Sequence, residues 1–246
     1  MLLSMQKIAI IIPCYNEEKR LQEKALLHLL EHTTADIFLA NDGSKDNTLT
    51  IIEKFSALNS ERCFVLHYPQ NQGKANTVFK SVNEVLAKKE YDFIGYFDAD
   101  FSTPASEITR LIKKIISSEA KFLLGSRILL LNSGIKRKFH RHIIGRIVIT
   151  IINLRFKLGI YDTQCGAKLF TAAIAQQAFK MPFKTSWLFD VEIFIRLKKL
   201  HLLKYGQEIP IYNWKDVDGS KLGWKTSFKI LNELYQLFKT YGSHKN

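Results

Sequence analysis

The sequence predicts an α/β fold, a mostly parallel sheet flanked by helices, and three observations lead there. Apolar runs of strand length alternate with stretches of helical spacing from Ile8 to Gly125, the pattern of βαβ units. Polar and acidic clusters follow those runs directly, as in PCYNEE, NDGS and FDAD, and in a parallel sheet the ligand crevice lies beyond the carboxyl ends of the strands. No repeat, low-complexity tract or Pro/Gly-rich linker divides the 246 residues, which suits one globular domain with a full core.

IAIII (Ile8 to Ile12) reads as a strand covered on both faces, and the apolar N-terminus leading into it is too short for a spanning helix and lacks a cleavage site. Glu17 to His32 has helical spacing, with Leu21, Ala25, Leu26 and Leu29 on one side. DIFLA (Asp36 to Ala40) is a second strand, Leu49 to Leu58 a helix, CFVLHY (Cys63 to Tyr68) a third strand and Lys74 to Lys88 a helix. DFIGYF (Asp92 to Phe97) is a fourth strand, Ser106 to Ser117 a helix capped by Ser106, and KFLLG (Lys121 to Gly125) a fifth strand. The second half is less regular. Ile143 to Ile152 is strongly apolar but interrupted by Arg146, and it falls short of the roughly 20 apolar residues that span a bilayer. As a helix it puts Phe139, Ile143, Ile147, Ile151, Leu154 and Leu158 on one face.

Lys plus Arg is 36 against 23 Asp plus Glu, a net charge of +13, which speaks for anionic partners. The charge is concentrated: no acidic residue lies between Glu119 and Asp162, while Lys136, Arg137, Lys138, Arg141, Arg146, Arg155 and Lys157 do. Nucleic acid is not the expected partner, because no aromatic RNA platform, zinc finger or basic dimerising helix is present. The three cysteines, Cys14, Cys63 and Cys165, form no disulfide framework or CxxC site, which fits a reducing compartment. His67, His140 and His201 lack the grouping of a metal site and read as structural.

Asp98 and Asp100 carry the chemistry. Residues i and i+2 of an extended chain point to the same side, and two carboxylates so close repel unless a cation or proton intervenes. An oxygen-only pair suits a hard divalent ion that completes its shell with water and substrate phosphates. The structural alternative is a solvated turn in which Asp100 or Ser102 caps the next helix. Asp42, in NDGS, is either a turn former or an acceptor for a base or ribose donor. Pro13, Tyr15 and Glu17 share that double reading, and Lys74 either meets a phosphate near a helix start or covers surface.

Taken in order, PCYNEE, NDGS, NQGK, DAD and GSR (Gly125 to Arg127) resemble the nucleotide-sugar-binding half of the inverting family 2 glycosyltransferases. DTQCGAKLF (Asp162 to Phe170), WLFDVEIFIR (Trp187 to Arg196) and NWKDVDGSKL (Asn213 to Leu222) are similar to the polyprenyl-phosphate branch of that family, more to its dolichyl-phosphate glucosyltransferases than to its mannosyltransferases. The resemblance covers roughly Ile8 to Leu222, and the ordered set is specific where each motif alone is not. It implies a GT-A-type, Rossmann-like sheet with an amphipathic helical insertion. It further implies a nucleotide-sugar half at residues 1–127, an acceptor half at 128–222 with an interfacial helix near 135–158, and a C-terminal amphipathic helix and tail at 223–246.

The same resemblance implies a donor such as UDP-glucose, an acceptor that is a polyprenyl phosphate (dolichyl or undecaprenyl), and Mg²⁺ or Mn²⁺. Pro13, Tyr15, Glu17 and Asp42 would border the nucleotide, Asp98, Ala99 and Asp100 the metal and diphosphate, and Gln164 the same site. Arg127, Arg137, Arg141, Ser220 and Lys221 would hold the acceptor phosphate. Two departures stand out. Mannosyltransferases of this kind place a Gln two residues after the second Asp, where this chain has Ser102. Eukaryotic glucosyltransferases carry an N-terminal membrane helix that these residues do not spell, so a bacterial lipid is the expectation.

A phosphate acceptor is already ionised near neutral pH and needs no base, so the obstacle is the approach of two anions, which preorganised charge relieves. Asp190 either accepts from sugar hydroxyls or caps the helix that begins there, and Trp187 either stacks on a sugar or belongs to the core. With that resemblance the basic, apolar stretch around Lys136 to Lys157 is expected at the cytoplasmic face of a membrane as a peripheral contact; from the residues alone the alternative is a buried core helix whose charges are solvated at both ends. The alternative keeps the fold and makes the acceptor a sugar hydroxyl of a growing glycan, with Asp190 as base.

Overall fold

The computed structural model describes residues 6–136, 139–215 and 224–242, with side chains for all of these except 139–141 and 224–228. A seven-stranded sheet is its centre. The strands are β1 (Ile8–Cys14), β2 (Asp36–Asp42), β3 (Cys63–Tyr68), β4 (Phe93–Phe97), β5 (Phe122–Ser126), β7 (Ala167–Thr171) and β8 (Gly206–Pro210), in the order β3-β2-β1-β4-β7-β5-β8. A separate pair joins β6 (Gly134–Lys136) to β9 (Asn213–Lys215) in parallel. The helices are α1 (Glu23–His32), α2 (Thr48–Leu58), α3 (Lys74–Ala87), α4 (Ala105–Ile116), α5 (Phe139–Phe156), α6 (Ala172–Ala178), α7 (Phe189–Lys199) and α8 (Trp224–Tyr241).

Alternation along each strand divides the core into two layers. Ile8, Ile10 and Ile12 of β1 pack with Leu26 and Leu29 of α1, Ile52 of α2 and Ile108 and Ile112 of α4. Ala9 and Ile11 face the other way, toward Val78 and Val82 of α3, Phe189 and Ile193 of α7 and Ile230 and Leu234 of α8. Because both faces are covered, β1 reads as an unbroken apolar run.

β7 is the antiparallel strand, with Ala167 opposite Phe97 and Leu169 opposite both Gly95 and Leu123. Gly95 has no room for a side chain: a Cβ there would collide with the Lys168 carbonyl and the Leu169 side chain. β7 was not legible as a strand because Lys168, fully buried, sits in its middle.

Two expected helix starts move. α1 begins at Glu23, not Glu17, because Asn16 turns the chain with a φ of 54° and the Glu17 N–H is held by the Thr48 hydroxyl at 2.7 Å. α4 begins at Ala105 after Pro104, and Ser106 lies inside the first turn instead of capping it. The predicted insertion is α5, and the middle of its named stripe faces outward, whereas Leu158, past the end of the helix, is buried at 6% exposure and the Phe139 side chain is not among those described. Ile143, Ile147, Ile151 and Leu154 are 42, 55, 37 and 77% exposed, while Ile149 and Ile152 bury the opposite side. Among the described residues no helix is long and apolar enough to cross a membrane.

Candidate active site

The carboxyl ends of β1, β2 and β4 point the same way, and beyond β4 lies a cavity of about 330 Å³. Asp98 and Asp100 line it, together with Ser102, Lys74 at the start of α3, Arg127 after β5, and Gln164 before β7. The turn that presents the aspartates is strained: Phe101, 6% exposed, has a φ of 48°, a left-handed conformation that costs a bulky residue free energy and is held by its surroundings. Asp100 Oδ1 accepts the Ser102 N–H at 2.9 Å, which fixes one of its oxygens.

Asp98 is shaped by two neighbours, Gly166 and Lys74. Gly166 lies so near that a Cβ on it would overlap the Asp98 carboxylate. The Asp98 N–H donates to the Gly166 carbonyl at 3.1 Å, which ties the end of β4 to the approach of β7. Lys74 Nζ forms an ion pair with Asp98 Oδ1. Burial would raise the Asp98 carboxyl, but Lys74, with Lys168 and Arg127 behind it, holds it below the usual carboxylate range. Lys74 responds in kind: burial alone would lower it, and Asp98 keeps it above its ordinary value.

Among the described residues no group of three or more His, Cys, Asp or Glu could hold a metal ion. Asp98 and Asp100 fit such an ion as a pair of hard oxygen donors, with substrate oxygens needed to complete the shell.

On the next side of the cavity Arg127 grips Asp162 with two arms, Nε to Oδ2 at 2.6 Å and Nη2 to Oδ1 at 2.8 Å, and its guanidinium lies 5.2 Å from the Trp214 ring. Burial would lower Arg127, yet Asp162 holds it above its ordinary value. Asp162 is oriented in turn through its N–H to Glu208 Oε1 at 2.7 Å. Gln164 Nε2 is buried without a hydrogen-bond partner, an unmet donor that a ligand in the cavity would satisfy.

Asp190 is 4% exposed and its carboxylate takes the Tyr96 hydroxyl and, at 2.7 Å, Lys168 Nζ. It stands in the first turn of α7, whose cap position is Leu188, so the capping alternative does not apply. Trp187 is half-buried and lines the cavity. The remaining wall is apolar: Ile144, Val148 and Ile149 of α5 and Ile230 of α8, with Arg146 of α5 as the cation among them. Arg146 Nη1 donates to the Tyr161 carbonyl at 2.8 Å, and its guanidinium sits 3.8 Å from the Tyr161 ring.

Residues 9–179 match the family described as glycosyl transferase family 2. The chain belongs to that family. It is a glycosyltransferase, and its fold is of the GT-A type. It is 32% identical to a dolichyl-phosphate β-glucosyltransferase of Dictyostelium discoideum over 94% of this chain and 73% of that one. With the dolichyl-phosphate β-glucosyltransferase of Saccharomyces cerevisiae the identity is 31%, over 95% of this chain and 75% of that one. Its fold resembles the glucosyl-3-phosphoglycerate synthase of Mycobacterium tuberculosis solved with Mn²⁺ and UDP-glucose. That match has a TM-score of 0.72 at 14% identity and covers 98% of this chain and 81% of that one.

In this glycosyltransferase Asp98, Asp100, Arg127, Lys74, Gln164 and Asp190 come together in one cavity. Pro13, Tyr15, Glu17 and Asp42 gather outside its lining, at the ends of β1 and β2. Asp42 is 2% exposed and its two oxygens accept the N–H groups of Gln72 and Gly73, at 2.8 and 2.9 Å. Glu17 keeps one buried oxygen without a partner, and burial pushes its carboxyl up to about 7 against the Arg20 ion pair. Ala99 is 4% exposed between the two aspartates. Arg137, Ser220 and Lys221 lie outside the described residues, and Arg141 is described in its backbone alone, as part of α5. His67 meets the Asn41 amide at 3.1 Å, His201 turns the chain just after α7 with a φ of 58°, and the His140 side chain is not among those described.

Sequence reasoning missed Arg146, Lys168 and Tyr161 as parts of the site. The available signal for Arg146 was its position as the one cation inside the apolar run from Ile143 to Ile152, since a charged side chain is rarely buried unless paired.

Proposed function

We propose that this glycosyltransferase moves a hexose, glucose in the first instance, from a nucleotide diphosphate sugar such as UDP-glucose to the phosphate of a polyprenyl lipid. The observation that carries this reading is the two-sided lining of one cavity. Carboxylates and Lys74 stand at the strand ends, and an apolar wall from α5 and α8 carries Arg146. A sugar hydroxyl acceptor has no use for such a wall, whereas a lipid phosphate needs both an apolar path and cations. The dolichyl-phosphate glucosyltransferases among its relatives point the same way.

A phosphate oxygen attacks C1 of the sugar as the bond from C1 to the diphosphate oxygen breaks, and in-line approach from the opposite face inverts the anomeric centre. A divalent ion, Mg²⁺ or Mn²⁺, held by Asp98 and Asp100, supplies charge neutralisation for the departing diphosphate when bound. Lys74 meets the diphosphate from the side of α3, and Gln164 donates to the donor substrate. Arg146 and Arg127 draw the lipid phosphate in, and Arg137, Arg141, Ser220 and Lys221 share that role. Asp190, fixed by Lys168 and Tyr96, accepts from sugar hydroxyls. The residues at the ends of β1 and β2, with Glu17's unmet oxygen among them, border the nucleotide.

The outer face of α5, with Leu129 and Leu131 before it at 68 and 94% exposed, lies on the cytoplasmic face of a membrane. Apolar side chains flanked by basic residues are the makeup of an interfacial helix, and the buried free cysteines accord with that compartment. The test is incubation of the purified protein with a panel of nucleotide sugars, Mg²⁺ or Mn²⁺, and polyprenyl phosphate in vesicles, with the lipid product identified by mass. A glycosyl monophosphate lipid is expected. Transfer to a soluble glycan with none to the lipid would establish the hydroxyl-acceptor reading, in which Asp190 is the base.

A further inference from the structure

The wall of the cavity formed by residues 186–190 has an unusual support. Glu233 on α8 is 4% exposed, and no ion pair to it occurs among the described residues. Its carboxylate accepts from the N–H groups of Ser186, Trp187 and Leu188 at 3.2, 2.8 and 2.8 Å and from the Ser186 hydroxyl at 2.8 Å. Glu192 completes the row from α7, accepting the N–H groups of Lys184 and Thr185 at 2.8 and 2.6 Å. Every backbone N–H from 184 to 188 therefore ends on one of two buried carboxylates. Leu188 caps α7 with no side-chain hydrogen bond of its own, so the negative charge of Glu233 also faces the positive end of that helix dipole.

We infer that Glu233 is a positioning residue for glycosyl transfer: from α8 it sets the height and angle of Trp187 and Asp190 against Asp98. A plain packing role does not need the acceptor geometry, because a carboxylate is costly to bury and an apolar residue on α8 would fill the same space. Three consecutive donors around one carboxylate hold a loop in a single conformation, as a catalytic wall requires. The inference rests on the proposed function for its kinetic part alone.

The experiment compares wild type with Glu233→Gln and Glu233→Asp, each labelled with 5-fluorotryptophan, the Trp187 line being assigned through Trp187→Phe. The amide of Glu233→Gln turns an N–H toward the loop donors. Its Trp187 fluorine line should move or split while the Trp214 line stays, and kcat/KM for the sugar donor should fall by tenfold or more with the thermal transition still cooperative. Glu233→Asp keeps the acceptor and should recover part of both. A Trp187 line superimposable on wild type, or kinetics within twofold of it, overturns the inference. If Glu233→Gln does not fold, Glu233→Asp carries the same two readouts, and silence in either overturns it. If wild type turns over no donor, the proposed function fails, and the fluorine lines still decide whether Glu233 holds the wall.

Discussion

Lys74, the first residue of α3, is ion-paired with Asp98 at the end of β4. A protein cation thus sits on one oxygen of the carboxylate proposed to hold a metal, so an ion bound at that oxygen competes with it. Replacing Lys74 with Met should tighten binding of Mn²⁺ alone, measured by water proton relaxation. The gain should be up to about fivefold, the scale of one partly exposed pair of ~1 kcal/mol. The same variant should lose donor turnover, because the diphosphate loses its cation. Unchanged or weaker Mn²⁺ affinity would detach Lys74 from this exchange.

Asp98→Asn and Asp100→Asn should each lower kcat by about 10²-fold or more, the scale of losing a preorganised electrostatic contact. The fold should survive both. Turnover within a few-fold of wild type in either variant would remove that residue from the proposed metal pair.

Gly166→Ala probes the same carboxylate from behind. A methyl group there overlaps Asp98, so the side chain or the strand must shift, at about 1–3 kcal/mol by the usual cost of overpacking. Both thermal stability and Mn²⁺ affinity should fall together. Loss of stability with normal ion binding would mean that Asp98 relaxes without leaving its place.

Arg146→Gln should raise KM for the lipid phosphate by about tenfold or more, from one lost charge-assisted contact of ~1.5–3 kcal/mol, and leave KM for the nucleotide sugar near wild type. On the outer side of α5, Ile147→Glu should alter stability by within ~0.5 kcal/mol, as exposed substitutions do, while reducing co-sedimentation with anionic vesicles. Full vesicle binding by that variant would send the membrane contact elsewhere.

Glu17 gives a pH signature. Burial raises its carboxyl from 4.5 to about 7, so the folded chain keeps a proton that the unfolded chain has released. Its contribution to stability is fully present below about pH 4.5 and declines as pH rises through about 7. Glu17→Gln stays neutral throughout, so its melting temperature should lose less than that of wild type between about pH 5 and 8. Parallel curves would show that Glu17 does not titrate in this window.

The first five strands and the acidic pair were legible because their signals are local. An apolar run such as Ile8–Ile12 means a doubly covered strand wherever it occurs, and an Asp-x-Asp after such a run lands at a strand end. The family, too, follows from the order of short motifs. β7, the Lys168–Asp190 pair and the Glu233 clamp were not legible, since each joins residues far apart in the chain. Glu233 reaches 45 residues back to Leu188, and on its own it reads as one more charge on an amphipathic helix. The outward face of α5 was undecided for the same reason. A helix apolar on both sides reveals which side meets the core only when Ile149 and Ile152 have found their neighbours.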